Sequence, residues 1–347
     1  MNFKTYQTQI AGQNLIVEIG KLAKQANGSV MVSLGETTVL VTAVMSSKPV
    51  SSNYLPLFVD YQEKFYANGK IKGSRFVKRE GKPSDDSILT GRLVDRAIRP
   101  FFDQSLRNEI QVVVTTLSMD DSNDPDAVAL FGASLALSIS DIPWNGPVAA
   151  LRVAMAGGQI IVNPSFEQRE AGDFDTIITL NSDNRLVMME FGGRQIPEST
   201  ILDAFTQVAP EINKMIQFQN SIVLEIGMEK QDLIKSESNI EIVEGIKNII
   251  QGRLDSAIYG DSISTKQAHH QLLTELNQSY PEYRDLVEHT LDKELNRVFK
   301  EKLLEQELRP DGRALNQIRE LSSEIDILPN SFSFFYDEVK FSSKAIV

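Results

Sequence analysis

At 347 residues the chain is longer than one ordinary domain of ~100–200 residues, so at least two domains are expected. Its 41% hydrophobic and 24% charged residues are a globular composition, which excludes a disordered or fibrous chain, and the absence of Cys excludes disulfides, thiolate metal sites and a cysteine nucleophile. A net charge of −12 excludes a general polyanion binder, so any nucleic-acid site has to be a local concentration of cations.

Met1-Asn2-Phe3-Lys4 has no basic region followed by an apolar run, so no signal peptide is expected. From Ser29 to Val44 two β-branched runs flank Gly35-Glu36, which predicts a hairpin with a two-residue type II′ turn, Val30, Val32 and Leu34 facing one side with Val39 and Val41. Leu55 to Tyr61 reads as a strand, and Lys64 to Ser84, polar and glycine-bearing, as an exposed loop. Ser84 then predicts the cap of a helix that carries acids in its first turn and stops before Pro100. Gln111 to Thr116 is a strand. Asp124-Pro125-Asp126 caps an uncharged run, Ala127 to Ser140, too short for a ~20-residue bilayer span and fit for a buried core helix.

After the Asn145-Gly146-Pro147 turn, Val148–Ala154, Gln159–Val162, Thr176–Thr179 and Leu186–Glu190 read as short strands, and Glu198 to Gln219 as a helix. The pattern changes near Ile234. Ile242, Val243, Ile246, Ile249 and Ile250, and later Val287, Leu291, Leu295 and Val298, fall at helical spacing, which predicts a small all-helical domain. Arg309 opens a third segment, at 39 residues too short to fold alone.

Between residues 64 and 82 lie seven cations, Lys64, Lys70, Lys72, Arg75, Lys78, Arg79 and Lys82, with Phe65, Tyr66 and Phe76 and the single acid Glu80. Cations that track phosphates, interleaved with rings on which bases stack, suit single-stranded nucleic acid; a solvated surface loop is an equal alternative on pattern alone. Arg92, Arg96 and Arg99 recur at spacings of four and three and so share a helix side. They suit phosphate binding, although pairing with Asp85, Asp86, Asp95 and Asp103 explains them more simply. Capping likewise explains Asp120, Asp121, Asp124 and Asp126 better than a metal does, since no EF-hand spacing is present. His269, His270 and His289 suit a surface role. No nucleophile elbow, P-loop or dinucleotide fingerprint occurs.

Five stretches in order carry a resemblance: residues 30–44, VMVSLGETTVLVTAV; 58–85, FVDYQEKFYANGKIKGSRFVKREGKPSD; 88–102, ILTGRLVDRAIRPFF; 124–153, DPDAVALFGASLALSISDIPWNGPVAALRV; and 309–329, RPDGRALNQIRELSSEIDILP. Over about residues 5–329 the chain resembles the bacterial polynucleotide phosphorylase family, the phosphate-dependent 3′-to-5′ exoribonucleases. The resemblance implies an α/β (α+β) ribonuclease-PH-like core with the ribosomal protein S5 domain 2-like βαβ fold at 1–234 (parts 1–145 and 146–234), an all-α domain at 235–308, and the start of a second such core at 309–347.

It also implies single-stranded RNA as partner, gripped by the loop at Phe76, Lys78, Arg79 and Lys82 and touched by Arg92, Arg96 and Arg99. A cytoplasmic homotrimer with a central channel is implied, together with contact to RNA-degradation machinery and no membrane or DNA partner. In the family, phosphate attacks the terminal phosphodiester and a nucleoside diphosphate leaves, with Mg²⁺ and inorganic phosphate as cofactors. Two departures stand out. Arg75-Phe76-Val77, one residue longer, replaces the family's uninterrupted pair of Phe followed by Phe or Ile, and Asn330 to Val347 does not match, as expected of a truncation or frameshift. The family's catalytic and metal-holding residues lie beyond the match, so this chain is expected to hold no catalytic residue and no metal. It is then an inactive portion of the enzyme, or a non-catalytic RNA-binding or trimer-forming module.

Overall fold

The computed structural model describes residues 3–52, 54–70, 82–120, 122–232 and 237–318. The loop positions Phe76, Lys78 and Arg79 and the unmatched tail 330–347 lie outside the described residues. The chain divides into two compact units, residues 1–233 and 234–347.

The first unit opens with strands β1 (Lys4–Ile10) and β2 (Gln13–Ile19), followed by β3 (Gly28–Leu34), β4 (Thr37–Pro49) and β5 (Leu57–Gln62). Helix α1 (Asp85–Ile98) crosses from β5 to β6 (Asn108–Ser118), and β5 runs parallel to β6 because a helix lies between them. The six-stranded sheet has the order β1-β2-β3-β4-β6-β5, with every other pairing antiparallel. Leu34 pairs with Thr37, so Gly35-Glu36 is the two-residue turn, and the φ of +59° at Gly35 is the left-handed value that such a turn requires at its first position. Val30, Val32, Leu34, Val39 and Val41 are all buried, as the alternation predicts.

The β1–β2 hairpin has no counterpart in the sequence reading. Its turn is Ala11-Gly12 with positive φ at both residues, so the alanine hides the usual Asn-Gly signal, and β1 buries only Ile10 behind an otherwise polar surface.

Helix α2 (Pro125–Ile139) buries every one of its residues. It packs on β3 and β4 on one side and on β7 (Val148–Ala156) on the other, which is why its sequence is apolar all round. A second, four-stranded sheet has the order β10-β9-β7-β8, with β8 (Gln159–Val162), β9 (Phe174–Asn181) and β10 (Leu186–Gly193); a short helix α3 (Phe166–Glu170) precedes β9. Helix α4 (Glu198–Ile226) closes the unit and runs seven residues past the predicted end at Gln219, because the buried stripe Ile212, Met215, Ile216 and Gln219 continues to Ile222. One polar triangle ties α2, α4 and β7 inside this core: Ser134 Oγ donates to Gln219 Oε1 at 2.7 Å, the Val148 N–H donates to Ser134 Oγ at 3.0 Å, and Gln219 Nε2 donates to the Val148 carbonyl at 2.9 Å.

The second unit comprises α5 (Glu237–Ile250), α6 (Leu254–Ile258), α7 (Ser262–Ser279) and α8 (Arg284–Glu305) around Ile246, Ile250, Leu272, Leu276, Val287 and Leu291. The helical spacings read from the sequence are the buried and half-buried faces of α5 and α8. Among the described residues no helix is long and apolar enough to cross a membrane.

Candidate nucleic-acid interface

The basic segment is an insertion in the crossover between β5 and α1, and its two flanks are joined. Ser84 caps α1, its Oγ accepting from the Ser87 N–H at 3.0 Å, while the same hydroxyl donates to Glu63 Oε2 at 2.7 Å. Glu63 precedes Lys64 and Ser84 follows Lys82 by two residues, so this bond closes the neck of the loop. Directly after Glu63 the chain is not irregular as expected: Phe65–Asn68 form a 3₁₀ turn that ends on Gly69, whose φ of +62° stops it. Lys70 and Lys82 are exposed at the two flanks.

The three arginines associated with α1 separate into different roles. Arg99, in the 3₁₀ turn after the helix, grips Asp95 with two bonds of 2.8 and 2.6 Å and donates to the carbonyls of Leu57 at 3.0 Å and Leu55 at 3.4 Å. Its guanidinium holds the start of β5 against α1. Arg96 reaches Glu190 on β10 at 3.2 Å with both side chains about half exposed, a pair of small energetic weight. Arg92 is exposed and forms no ion pair or hydrogen bond with the described residues. It borders a groove of about 360 Å³ between β5 and α1, with Phe58, Asp60, Ser87, Ile88 and Asp95 along its walls. Burial of Leu93, Val94, Ala97 and Ile98 turns Arg92 and Arg96 outward.

A separate charge cluster was not anticipated. Arg152 on β7 pairs with Asp124, Asp126 and Asp175, at 3.3 Å from Asp124 and 2.7 Å from Asp175, and Arg169 pairs with Asp124 and at 2.9 Å with Asp175. Asp124 also caps α2, as predicted, whereas Asp126 points into the cluster. Burial and the neighbouring Asp124 charge push the Asp126 carboxyl above the ordinary range against the pull of Arg152, and three carboxylates facing two guanidiniums leave one negative charge in excess. The available sequence signal was Arg152 itself, a lone charge in the apolar run Val148–Ala156, which can be buried only if paired. These carboxylates do not fit a magnesium ion, because their oxygens already face two cations; among the described residues no group of three or more acids and histidines is open to a metal.

Two family models match this chain: the 3′ exoribonuclease family, domain 1, over residues 11–143, and domain 2 of the same family over residues 146–207. Together they cover more than half of the chain and meet at the turn before β7. The chain belongs to the 3′ exoribonuclease family. Relatives named polyribonucleotide nucleotidyltransferase extend the similarity through the helical unit. That of Syntrophomonas wolfei is 39% identical over 95% of this chain and 47% of its own length. Those of Streptococcus suis and Brevibacillus brevis are 40% and 36% identical, over 95% and 94% of this chain and 46% and 47% of their own lengths. The chain thus spans about half the length of the curated relatives it matches. The two-sheet unit described above is the ribonuclease-PH-like core of a 3′ exoribonuclease-family chain, followed by a helical region.

Proposed function

We propose that this chain is the RNA-handling portion of a polyribonucleotide nucleotidyltransferase, a cytoplasmic, trimeric, phosphate-dependent 3′-to-5′ exoribonuclease that shortens single-stranded RNA to nucleoside diphosphates. The observation that carries this reading is the insertion between β5 and α1, seven cations and one acid in an otherwise acidic chain, its flanks joined by Ser84 and Glu63, together with the exposed Arg92, which has no ion pair among the described residues. Phe76, Lys78, Arg79 and Lys82 are its proposed RNA contacts, with Arg92 as a further phosphate contact. Arg96 contributes once Glu190 gives way, and Arg99 contributes through the position of β5 and α1 rather than by direct contact.

Phosphorolysis moves a phosphoryl group from a nucleotide oxygen to inorganic phosphate, so the chemistry needs stabilised charge and alignment more than a strong nucleophile. Magnesium supplies such charge neutralisation where the family binds it. Among the described residues, Asp124, Asp126 and Asp175 already face Arg152 and Arg169 with one negative charge in excess, which fits a structural charge cluster. A second reading, a trimer-forming module without RNA affinity, is favoured by the exposed Leu186, Met189 and Phe191 on β10.

The deciding experiment uses the purified 347-residue chain with labelled single-stranded RNA and Mg²⁺, with and without phosphate. Salt-sensitive RNA binding without nucleoside diphosphate release is the expected result. Phosphate-dependent release overturns the inert core, and oligomerisation with no RNA affinity overturns the RNA-handling role.

A further inference from the structure

The chain leaves the first unit through a short segment fastened by polar contacts. After α4 the Gly227 N–H still donates to the Val223 carbonyl at 2.8 Å, and residues 228–231 then lie along the C-terminal end of α2. The Met228 N–H donates to the Ile139 carbonyl at 3.0 Å, and the Gln231 N–H to the Asp141 carbonyl at 2.8 Å. Between them Lys230 Nζ donates to three carbonyls, those of Leu137 at 2.7 Å, Ser138 at 3.1 Å and Ser140 at 2.6 Å. A helix leaves its last carbonyls without intrahelical partners, and residues 137–140 are buried, so a side chain with three donors serves several of them at once. Gln231 Nε2 donates to Asp141 Oδ2 at 2.6 Å, and Asn27 Nδ2 holds the other oxygen of that carboxylate at 2.8 Å. Residues 228–232 add nothing to the hydrophobic core: Met228 is 39% exposed, and Glu229, Gln231 and Asp232 are exposed. A segment with few apolar contacts opens at a small fraction of the global unfolding cost, and water replaces it at the carbonyls it uncovers.

We propose that residues 228–231 form a releasable strap, locked by the Lys230 ammonium on the end of α2, that stores chain between the first unit and the second. Lys230 is the lock because its ammonium supplies three of the strap's six hydrogen bonds. Gln231 is the last described residue of the first unit hydrogen-bonded to it, and the units divide after residue 233. Opening the strap moves the last anchor back to Gly227, four residues earlier, and lengthens the reach of the connection by up to ~14 Å.

The test is site-resolved hydrogen exchange on the full chain across a series of low urea concentrations. In the wild type the Met228 and Gln231 amides are expected to be protected, yet to exchange at least about tenfold faster than the α2 amides and without dependence on low urea, the mark of local opening. Lys230→Met keeps the aliphatic stem and removes the three donors, so both amides are expected to exchange about tenfold faster again while the interior of α2 keeps its wild-type protection. Lys230→Arg, which retains a cation with several donors, is expected to restore most of the protection. Met228 and Gln231 amides that exchange in step with α2, through the same urea-dependent unfolding, overturn the strap by making the segment part of the core. Amides unprotected in the wild type overturn it by showing that the segment is not fastened. Unchanged protection in a folded Lys230→Met chain overturns the lock. Should that variant fail to fold, the wild-type urea series alone decides.

Discussion

The Asp120 carboxylate accepts the backbone N–H of Glu36 at 2.8 Å, joining residues 84 apart in sequence. It also accepts the N–H groups of Ser122 and Asn123 and the Asn123 side chain, so one carboxylate staples the β3–β4 turn to the entry of α2. A Cβ at Gly35 would meet Asn123 Nδ2 at 2.5 Å, so the staple also requires the glycine.

Asp120→Ala is expected to cost about 2 kcal/mol in urea unfolding, because three backbone donors lose a charged acceptor. Partial burial pushes this carboxyl up, but the bonds from Asn123, Glu36 and Ser122 outweigh it and hold the group below its ordinary value. A depressed acid contributes its stability above the unfolded value and loses it as pH falls through the folded one. The gap between wild type and variant is therefore expected to close below about pH 4; a gap that persists undiminished into acid contradicts the assignment.

The Arg152 cluster predicts the opposite sign. Asp126, pushed up to about 7 by burial and by Asp124, holds its proton in the native state where the unfolded chain releases it. Native stability therefore falls as pH rises from about 4 toward 7. Asp126→Asn leaves two carboxylates facing two guanidiniums and is expected to flatten that slope, a difference on the order of 2 kcal/mol between pH 5 and 8. Arg152→Leu, which strands three carboxylates, is expected to destabilise by about 3–5 kcal/mol at neutral pH. Parallel stability profiles for wild type and Asp126→Asn across this range would show that the excess negative charge is not absorbed at Asp126.

Inside the core, Ser134→Ala leaves the Val148 N–H and the Gln219 carbonyl oxygen without their partner and is expected to cost about 2–3 kcal/mol. Gln219→Leu removes the third member of the triangle. If the three act as a unit, the double variant costs measurably less than the sum of the singles; strict additivity in the urea midpoints refutes the coupling.

The strands and helices with one clean apolar period were legible from sequence alone: the Val30–Val41 hairpin, the Ser84-capped α1 and the wholly apolar α2. What was hidden has physical causes. The Ala11-Gly12 turn adopts a glycine-like backbone with an alanine, and α4 continues past Gln219 because that glutamine is a core residue satisfied by Ser134 and Val148. Of the candidate site, the basic segment was visible as composition. The division of labour among Arg92, Arg96 and Arg99 was not, because helical spacing places side chains on a face without saying which neighbours reach them. Glu190 lies ninety-four residues from Arg96, and the Leu55 and Leu57 carbonyls are more than forty from Arg99, so only the folded chain brings them together.

That division gives a paired prediction. Arg99→Ala removes a two-bond ion pair and the donors to two carbonyls, so it is expected to lower stability by about 2–3 kcal/mol and to weaken RNA binding only as far as β5 and α1 loosen. Arg92→Ala breaks no bond among the described residues, so its unfolding midpoint should stay within about 0.5 kcal/mol of wild type. If Arg92 meets phosphate, the same substitution weakens oligoadenylate binding at low salt and reduces the slope of log affinity against log salt by about 0.7, the share of one single-strand phosphate contact. Urea unfolding and salt-dependent anisotropy on both variants separate the roles. An Arg92→Ala chain with native stability and a native salt slope removes Arg92 from the interface, and an Arg99→Ala chain with native stability removes its guanidinium from the support of β5.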